Sequence, residues 1–370
     1  MDAIRSERRD LFVHDGRISF SGDRGDGVLD LSGHLLLPGL INAHDHLEFN
    51  LFPKLGQGLY ANAKEWAADI YRPHESPIEE HLSLSKRARL LWGGIKNLVS
   101  GVTTVAHHNE YSPIFDENFP VNVVRHYGWA HSLDFSPDLR ERFLATPADQ
   151  PFILHAAEGI DDRTHEEISR LDALGVLSER TVLVHALALD EASLDLLRAR
   201  QCSIIWCPKS NQSVYGRTLS DRVFHSGLKI ALGTDSAITA QGDLLDEIRA
   251  VRQPLACEQP GVYEMVTKRA AEVLRLTDGQ GEIREGGVAD LAAFEDRGQT
   301  PAEALLESNP TLVMTCGRMR LSVLPLLPYA FCLEGRGKYF IDVDVRTLHE
   351  ETVNSLGDEY CLAGKRVGVV

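Results

Sequence analysis

From Leu40 to Leu232 the chain repeats one alternation: a short apolar, β-branched run followed by a stretch with helical periodicity. The runs are Leu40–Ala43, Thr103–Ala106, Val121–Val124, Phe152–Leu154, Thr181–Val184, Ser203–Trp206 and Lys229–Leu232. Between the first two, Leu84, Leu91, Ile95 and Leu98 share one face of a helix predicted over Leu82–Val99. Thr164–Leu174 reads as another helix, with Gly175 as its stop signal. Glu191–Arg200, Asp243–Val251 and Tyr263–Leu276 follow the same pattern. Strands alternating with helices imply a parallel sheet with helices outside. Such a sheet closes into a barrel or stays open, and the alternation alone does not choose.

The flanks differ. Leu11–His14 and Arg17–Phe20 bracket Asp15-Gly16, a hairpin dipeptide. Val28–Leu31 and His34–Leu37 continue in strand-like pieces until Pro38-Gly39 breaks them. After Leu276 short strand and turn signals return in Gly281–Ile283, Gly286-Gly287, Leu291–Phe294, Leu312–Met314 and Tyr339–Val343. The simplest arrangement lets both ends meet. Residues 1–37 and 281–370 then form a small β-domain beside a central unit over 38–280. A length of 370 residues accommodates one barrel and such a satellite.

Lys and Arg number 38 against 54 Asp and Glu, a formal charge of −16. An acidic surface repels phosphate backbones, so nucleic acid is not an expected partner. No apolar run reaches the roughly 18 residues of a membrane helix, and Met1–Asp10 lacks the apolar core of a signal peptide. The expectation is a cytoplasmic protein without a membrane partner. The six cysteines (Cys202, Cys207, Cys257, Cys316, Cys332 and Cys361) contain no C-x-x-C pair, which argues against a zinc ribbon. They are expected to be reduced and mostly buried.

The chemistry gathers where the strands end. His44 and His46 close the first run as Asn-Ala-His-Asp-His. Side chains at i and i+2 of a strand point the same way, so two imidazoles can grip one ion. His155 closes the run Phe152–Leu154, with Glu158 three residues on. A carboxylate close to a ligand histidine, yet outside the metal shell, is what acid–base work on a metal-activated water requires. His185 ends Thr181–Val184, and Asp235 follows Ala231-Leu232-Gly233-Thr234. Four separate strand ends thus carry these groups in order, and in a parallel barrel the C-terminal strand ends bear the active site.

On these motifs the chain resembles the amidohydrolase superfamily, in the branch holding adenosine, cytosine and guanine deaminases and the triazine hydrolases. The motifs are Leu37-Pro38-Gly39-Leu40-Ile41-Asn42-Ala43-His44-Asp45-His46, Gly101-Val102-Thr103-Thr104-Val105, His155-Ala156-Ala157-Glu158, His185 and Gly233-Thr234-Asp235. Gly286-Gly287-Val288-Ala289-Asp290-Leu291 resembles the return into that family's small β-sandwich. The resemblance implies an α/β fold, a (β/α)8 TIM-like barrel with a small β-sandwich built from the chain's ends. It implies that His44, His46, His155 and Asp235 ligate a metal, that Glu158 shuttles protons, and that His185 stands beside the activated water outside the metal shell. Three imidazoles and a carboxylate suit Zn²⁺, with Fe²⁺ as the alternative. Binuclear relatives use a carboxylated lysine on a middle strand. No lysine stands at a central strand end between Thr103 and His155, so one metal per chain is expected.

The activity implied is deamination of a small aromatic or heterocyclic amine of purine, pyrimidine, pterin or triazine type, with release of ammonia. Its rivals are opening of a cyclic amide, displacement of a ring chloride or alkylamine, and a catalytically silent binding paralogue. Tyr60 and Trp66, in the loop region after His46, could stack on a planar ring. His108 and His131 could reach a substrate from the barrel mouth, and Ser210-Asn211 matches a pair that organises the mouth in the family. The next residues, Gln212-Ser213-Val214-Tyr215, depart from the close deaminases. About 50 residues between Val105 and His155 must hold two strands and their helices. One βα unit is therefore expected to be reduced and the barrel irregular. A homodimer is the commonest assembly for such an enzyme.

Overall fold

The computed structural model describes residues 6–22, 27–251 and 259–369; Cys257 lies outside them. The first hairpin forms where its dipeptide predicts. Strands β1 (Phe12–His14) and β2 (Arg17–Ser19) pair antiparallel. Asp15 and Gly16 both take positive φ, 47° and 74°, as a two-residue type I′ turn requires. The strand expected at Val28–Leu31 does not form: Val28 and Leu29 are 72% and 41% exposed, without a pairing partner. Strand β3 (His34–Pro38) follows.

The central strands are β4 (Leu40–Asp45), β5 (Val102–His107), β6 (Asn122–Val123), β7 (Gly128–Ser132), β8 (Phe152–Ala156), β9 (Thr181–His185), β10 (Ser203–Trp206) and β11 (Lys229–Leu232). Every pairing among them is parallel, in the orders β4-β5-β6 and β7-β8-β9-β10-β11. The end of β11 closes onto β4. The Thr234 N–H donates to the His44 carbonyl at 2.9 Å, and a parallel bridge joins Asp45 to Asp235. The strands alternate faces as a barrel demands. Ile41, Ala43, Ile153, Val182, Val184 and Ile205 share one buried cluster, while Leu154, Leu183 and Ile204 pack with helix residues such as Leu194 and Leu197.

The barrel is irregular on one side. No ladder joins β6 to β7, and β6 has only two residues. A single 3-10 turn, Pro113–Asp116, separates β5 from β6, and only residues 124–127 separate β6 from β7. Two outer helices are thus missing among the described residues, where one reduced unit was expected. Strand β7 reads Gly-Trp-Ala-His-Ser; it has no β-branched residue and so gives no strand signal.

Helix boundaries move where caps intervene. The helix predicted over Leu82–Val99 is two: Ile78–Ser83 and Lys86–Leu98. The Ser85 side chain accepts from the Ala88 N–H and starts the second. That helix presses onto the segment after His46, because a Cβ on Gly93 would lie 2.2 Å from the Leu47 carbonyl oxygen. Tyr263–Leu276 divides likewise into Gln259–Met265 and Lys268–Val273. Helices Ala63–Ile70 and Pro208–Tyr215, both at the barrel mouth, were not anticipated.

The two ends of the chain do meet. Strand β3 pairs antiparallel with β12 (Leu291–Glu295). It borders a sheet continued by β13 (Pro310–Thr315), β14 (Arg318–Ser322), β15 (Tyr329–Leu333), β16 (Gly337–Ile341), β17 (Cys361–Leu362) and β18 (Lys365–Val369). The β1–β2 hairpin layers on this sheet through Ile18, Ala289 and Leu291, with Ile18 bonded to both Gly286 and Gly287. Phe331, Tyr339 and Ile341 pack against Trp92 and Ile95 of helix Lys86–Leu98 and tie the sandwich to the barrel. Gly281–Ile283 forms no strand. The described cysteines are free, but only Cys202 and Cys207 are buried, so burial is less general than expected. No helix among the described residues is long and apolar enough to cross a membrane.

Candidate active site

Four donor side chains converge at the C-terminal strand ends. His44 and His46 come from the end of β4, His155 from β8 and Asp235 from the turn after β11. One ligand atom from each lies within 4.8 Å of all the others. His44 Nε2 and His155 Nε2 are 3.2 Å apart, and Asp235 Oδ1 lies 3.7 Å from His44 Nε2 and 3.6 Å from His46 Nε2. Two nitrogens bound to one tetrahedral zinc at about 2.05 Å would stand roughly 3.3 Å apart, so the donor set fits such an ion. The His155 Nδ1–H donates to the His131 carbonyl at 2.8 Å, which leaves the Nε2 lone pair facing the other donors. Burial lowers the His44 pKa to about 4 and puts His155 well below its usual value. Both rings are therefore neutral, the form that binds metal.

The carboxylate of Asp235 is held in place. Its Oδ2 accepts from Ser210 Oγ at 2.7 Å and from Thr239 Oγ1 at 3.0 Å. Burial alone would raise its pKa, yet the histidines packed around it, His44, His185 and His46, keep it far below the usual range. Gly233 permits the approach of β11 to β4, since a Cβ there would lie 2.7 Å from His44 Cβ. His185 and Asp235 sit in the left-handed region, at φ 73° and 54°. Non-glycine residues there cost of order 1–3 kcal/mol each. The backbone holds Asp235 through its N–H to the His44 carbonyl at 3.1 Å.

Above the donors, Glu158 Oε1 lies 3.5 Å from His185 Nε2, and Asp235 Oδ2 lies 4.0 Å from the same nitrogen. His185 Nδ1 bonds Asn211 Oδ1 at 2.7 Å. As a carboxamide oxygen only accepts, Nδ1 carries the hydrogen and Nε2 faces Glu158 and Asp235. Burial raises the Glu158 pKa, against the lowering effects of His185 and of the Tyr215 hydroxyl. Ala157, at φ 51°, turns the chain so that Glu158 enters the cavity, and the Ala157 N–H donates to Glu167 Oε2 at 2.7 Å.

These groups floor a cleft that opens to solvent. Its walls include Phe49, Ala63, Trp66, His131, Phe135 and Ile238. Trp66 and His131 thus reach the cavity. Tyr60 does not line it: its hydroxyl donates to Asp69 Oδ2 at 2.5 Å and staples the loop to helix Ala63–Ile70. His108 is also absent from the walls. It is 2% exposed, lies behind His44 and His155, and bonds the Ala130 carbonyl at 3.0 Å. Ser210 and Asn211 are fully buried and hold Asp235 and His185 instead of facing the cleft.

Sequence reasoning missed Tyr215, whose hydroxyl donates to Glu158 Oε1 at 2.7 Å. It also missed Thr239 on Asp235 and Glu167 beneath Glu158. Tyr215 had a signal. Pro208 opens a helix, and Asn211 and Tyr215 stand four apart on one face of it.

Residues 148–320 match the amidohydrolase family. The chain is 27% identical over 372 residues to the 5-methylthioadenosine/S-adenosylhomocysteine deaminase of Pyrococcus furiosus, covering 80% of this chain and 84% of that one. Its fold is similar to that of a zinc-bound adenosine deaminase from Xanthomonas campestris, with a TM-score of 0.65 at 18% identity over 93% and 92% of the two chains. It is similar too to a mutant of the atrazine chlorohydrolase of Arthrobacter aurescens TC1 complexed with zinc and atraton. There the TM-score is 0.69 at 16% identity, over 93% and 94% of the chains.

Proposed function

For a chain that belongs to the amidohydrolase superfamily, we propose hydrolytic deamination of a heterocyclic aromatic amine at a single Zn²⁺ held by His44, His46, His155 and Asp235. One observation carries the reading. Glu158 and Asp235 both face His185 Nε2, at 3.5 Å and 4.0 Å, directly beside the four-donor cluster. Two carboxylates with opposed pKa shifts then divide the acid and base work.

A divalent ion held by these four residues would supply a hydroxide nucleophile near neutral pH. Asp235, with His185, is placed to accept the proton released as that nucleophile forms. Glu158 gives a proton to a ring nitrogen of the substrate and makes the neighbouring carbon electrophilic. As the tetrahedral intermediate collapses, Glu158, now a carboxylate, takes the proton of the added hydroxyl and delivers it to the departing amine. Ammonia leaves, and the proton held by Asp235 with His185 returns to Glu158. His185, fixed by Asn211, orients and stabilises the developing charge. Trp66 and Phe135 present aromatic walls for a flat ring, and His131 offers a neutral imidazole, its pKa lowered by burial to about 4. The named activity of the Pyrococcus furiosus relative makes adenosine-type purines the first substrates to try.

The test is elemental analysis of the purified protein together with an ammonia-release screen over purines and their nucleosides, pyrimidines, pterins and triazines. About one zinc per chain with ammonia from one ring class is the expected result. Metal without ammonia from any of them would move the reaction to amide opening or chloride release. Absence of metal after reconstitution would overturn the reading.

A further inference from the structure

A lysine lies fully buried beneath the metal-ligand strand, and the proposed chemistry does not use it. Lys96 of helix Lys86–Leu98 is 1% exposed, and Asp45, the residue between His44 and His46, is 0% exposed. Lys96 Nζ lies 2.7 Å from Asn50 Oδ1, 3.3 Å from Thr234 Oγ1 and 3.4 Å from Asp45 Oδ2. An ammonium has three hydrogens to donate, and three acceptors surround it.

Asp45 is as fully engaged. Its Oδ1 accepts from Asn50 Nδ2 at 2.8 Å, and its Oδ2 accepts from Asn97 Nδ2 at 2.8 Å and Asn42 Nδ2 at 3.2 Å. The same node reaches the other ligand-bearing segment. Asn42 Nδ2 donates to Thr234 Oγ1 at 2.9 Å, and Asn42 Oδ1 accepts from the Thr234 N–H at 3.1 Å. Thr234 immediately precedes Asp235, and Asn42 stands two residues before His44.

An ion pair buried this deeply is seldom a source of net stability, because desolvating two charges costs about as much as their attraction returns. An apolar pair could fill the space. What an apolar pair cannot do is fix hydrogen-bond geometry on both sides of the ligand set. We infer that the Lys96–Asp45 pair is a positioning device that sets the spacing between His44/His46 and Asp235, and thereby how tightly the metal is held. The inference rests on the proposed metal site, but not on the substrate or on deamination.

The test measures metal binding by the full-length protein. Zinc affinity of Lys96→Met is read by competition with a chromophoric chelator, ligand geometry by the visible spectrum of the Co²⁺-substituted protein, and folding by melting of the metal-free form. We expect zinc to bind about 10–100-fold more weakly, the usual effect of losing a group that orients ligands, together with a changed Co²⁺ spectrum. Lys96→Met leaves Asp45 an unpaired buried charge and can fail to fold. The double variant Lys96→Met/Asp45→Asn removes both charges and is measured alongside, with the same loss of affinity expected. Zinc affinity within about 3-fold of the unmodified protein and an unchanged Co²⁺ spectrum, in whichever variant folds, would overturn the inference even if the metal-free form melts lower. Zinc binding without ammonia release would remove the deaminase reading and leave this inference standing. A wild-type protein that takes up no zinc would remove both.

Discussion

The Tyr215 hydroxyl donates a 2.7 Å hydrogen bond to Glu158 Oε1, the oxygen that also lies 3.5 Å from His185 Nε2. With Oε1 occupied, the proton exchange with substrate proposed for Glu158 falls to Oε2. A hydrogen bond to a charged group contributes about 1.5–3 kcal/mol, or roughly 10–100-fold in rate if it acts in the transition state. Tyr215→Phe should therefore lower kcat by about 10–100-fold while zinc content stays at the wild-type level. Steady-state kinetics with elemental analysis decide it. An unchanged kcat would reduce Tyr215 to a packing residue.

Among the described residues, Glu158 and Asp235 are the two carboxylates that line the cleft. Glu158→Gln keeps the shape and removes the exchangeable proton. Turnover should fall by at least about 10²-fold, in line with the loss of a general acid–base, with the metal retained. Residual activity near that of the wild type would assign the proton transfers elsewhere.

Trp66 and Tyr60 should behave differently, although sequence gave them the same role. Trp66 lines the cleft, and its buried indole nitrogen has no partner among the described residues. Trp66→Ala should raise KM about 10-fold, since a lost aromatic stack and its buried area amount to over 1 kcal/mol. Tyr60→Phe removes only the staple to Asp69 and should leave KM within about 2-fold, an exposed hydrogen bond contributing little. Equal effects of the two would show that helix Ala63–Ile70 does not cover the bound ring.

Glu247 is 2% exposed, and burial raises its pKa to about 8, although its Oε2 accepts from the Lys209 N–H at 2.8 Å. The folded pKa lies above the ordinary value of 4.5. Its contribution to stability is therefore complete below about 4.5 and is lost as pH rises toward 8. Glu247→Gln retains the acceptor and cannot ionise. Its melting temperature should exceed that of the wild type by at least ~2 °C at pH 8, with the gap closing toward pH 5. A gap that widens toward pH 5 would reverse the assignment.

Much of the site is legible in the chain itself. His44, His46, His155, His185 and Asp235 each stand at the end of an apolar run, and a run that short, followed by a helical period, already says which end of a parallel strand they occupy. That reading needs only local periodicity and chain direction. Strand β7, Tyr215, Thr239, Glu167 and Lys96 are illegible in the sequence for the opposite reason. The Gly-Trp-Ala-His-Ser segment is a strand because β8 offers it a partner, not because its residues prefer extension. Its place after β5 offers His108 to the mouth, and the fold packs it against His44 and His155 instead. Nothing in the sequence marks Lys96 as buried; the fold closes Asp45 and Asn50 around it. Sequence by itself determined which residues reach the metal end of the barrel, because backbone period and direction are local properties. Only the tertiary structure decided which side chains line the cleft and which brace Asp235 and His185 from behind, because that depends on partners distant in sequence that folding alone brings within hydrogen-bond range.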